Sequence, residues 1–241
     1  MGRRRSLPAL VLLSAFSTIA LACEAGLDPI EVKSGCPDQP LRGPTAAAAD
    51  VPLDQLIDDF DDGDSSIAMF ADRSGYWVFN PPSGMVGAHN SDTCAARGSS
   101  AGHFMAAGIP PVMAAGALRG GANWTAYFVA PTAGGSNPYS ANTWGYSGFS
   151  FWAAIGAGRA PFPVNVGVST MDTISVFGAF YGTTVQLTHS WQRFVVPFSD
   201  LVQVGNKPEP TPIRLDTLVD FIVWPDQGQF DIWIDDLRFE K

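Results

Sequence analysis

"FDIWIDDLRFE", residues 230–240, closes the chain. Phe230, Ile232 and Ile234 share one parity, as the buried face of a β-strand does, whereas Leu237 and Phe239 share the other. The two runs meet at Asp235 and Asp236. One residue has therefore been inserted between half-strands of opposite phase, which predicts a β-bulge. Two adjacent carboxylates in so apolar a strand lower stability unless something compensates them.

The same period-two alternation recurs upstream in short runs. "FSFWAAI" sets Phe149, Phe151 and Ala153 against Ser150 and Trp152; "PVNVGVS" sets Val164, Val166 and Val168 against Asn165, Gly167 and Ser169. "WQRFVVPF" keeps Phe194, Val196 and Phe198 in phase, and "VDFIVWP" sets Val219, Phe221 and Val223 against Asp220, Ile222 and Trp224. Turn signals such as "NPPSG", "PTAGGSNP" and "GNKPEPTP" separate the runs, and no amphipathic helix long enough to form a layer follows residue 52. Short strands punctuated by Gly and Pro predict an all-β domain, a sandwich or a barrel, over residues 53–241.

The first 22 residues have another character. Arg3, Arg4 and Arg5 precede the apolar run Leu7–Ala22 and then Cys23, the pattern of an export signal. The run is shorter than the roughly 20 residues of a spanning helix. Ala20-Leu21-Ala22 suits ordinary signal peptidase, while small residues before Cys23 resemble a lipoprotein cleavage site; lipidation of Cys23 leaves Cys36 and Cys94 as an even pair for an oxidising compartment. Residues 23–52 read as a flexible tether. The expected location is the cell envelope or surface through a lipid anchor, or otherwise secretion. Removing residues 1–22 takes away three positive charges and lowers the net charge from -9 to -12, which argues against nucleic acid as a partner.

The beginning of the domain mirrors its end. "LIDDFDDGD", residues 56–64, holds five Asp in seven residues. Asp-rich loops containing Gly suit Ca²⁺, which takes hard oxygen ligands. If the first and last strands are neighbours, Asp59, Asp61, Gly63 and Asp64 together with Asp235 and Asp236 would form a structural Ca²⁺ site. A solvated acidic rim is the alternative. The spacing is not that of an EF-hand.

In this order along the chain, "LIDDFDDGD", "GSSAGHFMAAG", "YSGFSFWAAI", "HSWQRFVVPFSDL", "LDTLVDFIVW" and "FDIWIDDLRFE" resemble family 11 carbohydrate-binding modules of the galactose-binding-like superfamily. The resemblance implies a jelly-roll β-sandwich with bound calcium and a cleft for β-glucan chains. It places Trp224, at the end of "FIVW", at a sugar-stacking position, and Trp124 with Tyr127, in "GANWTAYF", beside another. Asn123 and Ala122 replace an acidic partner there, and Gln203 stands where the family offers an arginine. A pyranose presents an apolar C–H face to an aromatic plane and a belt of hydroxyls to fixed polar groups. Trp152 is out of phase with its core run, so it either projects towards a ligand or lies beneath a loop.

Nucleophile elbows and zinc-protease motifs are absent, and the acidic residues gather at the two ends of the domain. The expectation is a monomeric, non-catalytic polysaccharide binder. The rival is a surface lipoprotein that uses the same sandwich for protein contacts, its aromatic residues buried.

Overall fold

The computed structural model describes residues 35–38, 52–80, 86–92, 94–107, 123–174, 179–205, 211–225 and 230–241. The chain divides into two units, Met1–Glu31 and Val32–Lys241. The export signal, Cys23 and the tether stretches 23–34 and 39–51 lie outside the described residues. No described helix is long and apolar enough to cross a membrane.

Among the described residues twelve strands follow in order: β1 (Leu56–Asp58), β2 (Trp77–Asn80), β3 (Val86–Asp92), β4 (Ala101–Ala107), β5 (Asn123–Tyr127), β6 (Gly148–Ile155), β7 (Phe162–Thr170), β8 (Phe180–Leu187), β9 (Gln192–Pro197), β10 (Val202–Val204), β11 (Leu218–Pro225) and β12 (Phe230–Glu240). One sheet runs β3-β4-β12-β6-β9 with β1 also paired to β12; the other runs β10-β8-β7-β11-β5-β2. Phe149 and Phe151 from the first sheet meet Phe221 from the second at 5.2 and 5.8 Å between ring centroids, and Phe230 meets Trp124 at 4.9 Å. The inner faces therefore share one aromatic core, which makes the fold a β-sandwich.

The alternation read from the sequence matches this core at Phe149, Phe151, Ala153, Val164, Val166, Val168, Val196, Phe198, Phe221 and Val223. One position differs. The β11–β7 register shifts between Leu218 and Asp220, and Leu218 takes the place in the main core that the pattern assigned to Val219.

In β12 the bulge lies where the phase changes. Asp235 pairs with Trp152 and Arg238 with Ser150, so three steps on β12 face two on β6, and Asp236 adopts the left-handed region at φ 53°. Phe230, Ile232 and Ile234 on one side of it, and Leu237 and Phe239 on the other, all reach the core. The opposite edge of β12 changes partner at the same place, from β4 over residues 230–234 to β1 at Leu237 and Arg238.

Candidate functional site

A sandwich offers two outer faces, and in this protein they differ. The outer face of the first sheet carries Trp233 and Ala154, which cluster with Ala101, Cys94 and Trp191 beneath the half-buried Ala95 and Ala96. His103 stacks on Trp233 at 3.7 Å, and its Nε2 lies 2.8 Å from Asp231 Oδ1, both side chains buried. A disulfide joins Cys36 to Cys94 with Cα atoms 5.4 Å apart. Beside it, Ala157 N–H donates to Gly35 O and Asp38 N–H to His189 O. Residues 35–38 are thus fastened to the domain, and the predicted tether is not free along its whole length. Trp152 belongs to this covered layer, half-buried opposite Asp235, on the sheet away from Trp224 and Tyr127. It packs against that cluster and shares no face with the other candidate binding residues.

The Asp-rich turn joins this layer at its end. Asp58 is buried, accepting from Phe60 N–H at 2.7 Å and from the Trp77 indole at 2.6 Å, and burial pushes its carboxyl up to about 8. Asp59 Oδ1 accepts from Asp61 N–H, and Asp64 Oδ1 from Ser66 N–H. Asp61 Oδ1 takes the N–H groups of Ser99 and Ser100, at 2.7 and 2.8 Å, and the Ser99 hydroxyl. Gly63 sits in an open turn at φ 74°. Across from this turn, Asp235 Oδ2 accepts from Arg97 N–H at 2.7 Å, while Asp236 pairs with Arg97 Nε at 3.3 Å and with Arg238. The compensation that "IDD" requires comes in large part from two arginines and a backbone N–H. Among the described residues no group of three or more His, Cys, Asp or Glu is arranged to hold a metal ion. One feature is left over: Asp235 Oδ1 is buried without a hydrogen-bond partner, and burial pushes that carboxyl up to about 8, with Asp236 and Asp61 adding repulsion.

The second sheet presents its outward side chains in rows across the strands. One row runs Tyr76, Tyr127, Asp220 and Ser169. The next runs Val78, Thr125, Ile222, Gly167, Gly182 and Val202. A third holds Asn123 and, further along the sheet, Trp224, Asn165 and Thr184. The paired glycines have a packing reason. A Cβ at Gly182 would lie 2.3 Å from the Phe180 ring, which lies across that position and stacks on Trp224 with planes 12° apart and centroids 5.8 Å apart. Phe180, Ile222 and Trp224 form a separate apolar cluster on the outside of the sheet, and at 1%, 7% and 4% exposure they are covered.

Near β2 the face is open. Tyr76 is 37% exposed and Tyr127 half-buried, their ring centroids 6.1 Å apart and their planes inclined by 55°. Burial raises the Tyr127 hydroxyl above its ordinary value, with the neighbouring Asp220 adding to the effect. Asp220 is buried, and burial pushes its carboxyl up to about 6 against donation from Ser169 N–H at 3.2 Å. One polar pair lies beside Tyr127 on β5, Thr125 Oγ1 donating to Asn123 Oδ1 at 3.1 Å, and a second, Thr184 Oγ1 to Asn165 Oδ1 at 2.8 Å, lies across the sheet on β8 and β7.

Of the residues expected to bind sugar, the structure brings Trp224 and Tyr127 to this face and separates the others from it. Trp124 is fully buried, stacked on Phe79 at 4.4 Å, because its parity on β5 points into the sandwich. Gln203 pairs with the inward Tyr181, and its Oε1 accepts from Thr211 N–H, so it secures a loop. Trp224 has the expected direction, yet its ring is spent on packing against Phe180. Tyr76 escaped the reading. It precedes "WVF", and only its pairing opposite Tyr127 shows that it faces outward.

No protein-family model matches the sequence, and no curated protein matches it. Among solved structures, the family 11 carbohydrate-binding module from Clostridium thermocellum in complex with a β-1,3-1,4-mixed-linked tetrasaccharide aligns at TM-score 0.50 and 10% identity, over 77% of this chain and 94% of that one. The family 11 module of the cellulosomal cellulase Lic26A-Cel5E of the same organism aligns at 0.49 and 11% identity, over 79% and 96%. An agarase aligns at 0.45 and 8% identity, over 78% of this chain and 26% of its own. The chain shares the β-sandwich of the family 11 modules.

Proposed function

We propose that the domain is a non-catalytic polysaccharide-binding module that takes β-glucan-type chains on the outer face of its second sheet, with Tyr76 and Tyr127 as the stacking residues. The observation that carries this reading is the tyrosine pair: Tyr76, just before β2, and Tyr127, on β5, lie side by side on one outer face, 37% exposed and half-buried, with the half-buried Asn123 amide further along β5. A shared fold alone does not assign function. It adds that a sandwich of this kind is known in complex with a mixed-linked glucan tetrasaccharide. Glycoside cleavage uses two facing carboxyl groups, and Asp220 is the only carboxylate in the strands of this sheet. The test is affinity electrophoresis on soluble mixed-linked β-glucan. Tyr127→Ala and Tyr76→Ala are each expected to weaken retardation by about tenfold. Unretarded wild-type protein on every glucan tried would sink the reading and favour the rival, a surface used for protein contacts.

Calcium is part of the same proposal, and its support is Asp235 Oδ1, a buried oxygen lacking a partner beside the Asp61 and Asp236 charges. The fit is partial, since Asp236 already has Arg97 and Arg238, and Asp59, Asp61 and Asp64 accept from backbone N–H groups. Ca²⁺ is expected to raise the melting temperature and EDTA to lower it, with Asp235→Asn abolishing both effects. An unchanged melting temperature leaves the clasp to the arginines. Export, lipidation at Cys23 and a monomeric state complete the proposal. The Cys36–Cys94 disulfide supports export to an oxidising compartment. The intact mass of the mature protein and its hydrodynamic size test these points.

A further inference from the structure

The outer face of the second sheet is open at both edges and closed between them. At one edge are Tyr76, 37% exposed, and the half-buried Val78 and Tyr127; at the other are Val202, 65% exposed, and the exposed Thr184. The strip between holds Asp220, Ser169, Thr125, Ile222, Trp224 and Phe180, none more than 7% exposed, together with the half-buried Asn165 beside Trp224. The middle of this strip is filled by the protein itself. Gly167 and Gly182 are adjacent on β7 and β8 and carry no side chain, and the Phe180 ring occupies the space over Gly182 while lying parallel to Trp224. An aromatic ring that has a protein ring against it and is 4% exposed has no free face for a sugar.

We infer that the site, on the carbohydrate reading from which this follows, recognises a short glycan segment of about two sugar rings at the β2 edge, and not a chain laid across the whole sheet. Among the described residues the available platform on this face is two phenol rings 6.1 Å apart. Beyond Tyr127 its row continues into Asp220 and Ser169, which are 2% and 3% exposed and offer nothing to a third ring. The Trp224–Phe180–Ile222 cluster is packed against itself and takes no part in the contact, which the tyrosines supply.

Calorimetric titration with glucose oligomers of mixed β-1,3 and β-1,4 linkage, from the monosaccharide to the hexasaccharide, reads this directly. Affinity is expected to climb to the disaccharide or trisaccharide and then to change by less than about threefold, because longer ligands gain no contact. Trp224→Phe is expected to bind within about twofold of the wild type, since Trp224 meets Phe180 and not the ligand. A rise of about tenfold or more from trisaccharide to hexasaccharide overturns the inference and leaves the carbohydrate reading standing. Loss of binding in a folded Trp224→Phe variant also overturns it, and should that variant unfold, the wild-type length series decides alone. Failure to bind any oligomer removes the carbohydrate reading and the inference together.

Discussion

At the scale of single residues, Asp220 shows how burial converts an ordinary side chain into a pH-dependent element. Burial raises its carboxyl from 3.8 to about 6, with Ser169 donation opposing the shift. A raised carboxyl binds its proton more tightly in the folded state than in the unfolded one. The stabilisation from that proton is complete below pH 4 or so and is lost as pH climbs through about 6. Asp220→Asn removes the titration and is expected to gain on the order of 2 kcal/mol on the wild type between those limits, visible as urea midpoints that diverge with pH. Residue type was informative from the outset, exposure was not. All seven tryptophans lie among the described residues and none is exposed; five are buried, and Trp144 and Trp152 are half-buried. The accessible stacking residues are tyrosines because the larger indoles fill the core and the two outer clusters, where each covers the most apolar area.

At the scale of elements, β12 explains its own two carboxylates. The bulge lets one strand keep five apolar side chains in the core while its edge passes from β4 to β1. Asp236 sits at φ 53°, where a Cβ is strained and glycine is not. Asp236→Gly is expected to retain about 1 kcal/mol more stability than Asp236→Ala, since both lose the arginine pairs and only the glycine relieves the backbone. Denaturant midpoints of the two variants decide it, and equal midpoints would show that the left-handed conformation costs nothing here. The parity change in "FDIWIDDLRFE" made the bulge legible in the sequence. The identity of the compensating groups was not, because Arg97 lies far away in the chain and meets Asp236 only after β4, β12 and β1 have assembled.

At the scale of the molecule, the Cys36–Cys94 disulfide closes a loop of 58 residues and fastens residues 35–38 over the edge of the first sheet. Chain-entropy reasoning gives such a link about 4 kcal/mol. Reduction, or the Cys36→Ser and Cys94→Ser pair, is expected to lower the melting temperature by several degrees. A melting temperature indifferent to reductant would mean that the segment contributes nothing to the stability of the sandwich. Counting three cysteines made this pairing an expectation only if Cys23 is lipidated, and the fastening of 35–38 was not legible at all, since no periodicity marks a segment held by a few backbone bonds.

By itself the sequence determined the class of fold, the inward residues of most strands and the place of the bulge. Each of these is written in a local period of two, and the hydrophobic effect reads that period directly. Only the tertiary structure decided which outward residues remain available. Trp124 and Trp224 were candidates for a ligand and Trp152 was open between a ligand and a covering loop; the first points into the core, Trp224 is matched by Phe180, and Trp152 packs in the layer with Cys94 and Trp191. Accessibility depends on what distant chain is laid over a face, and Tyr76 at 37% exposure and the half-buried Tyr127 keep what Trp224, matched by Phe180, has lost.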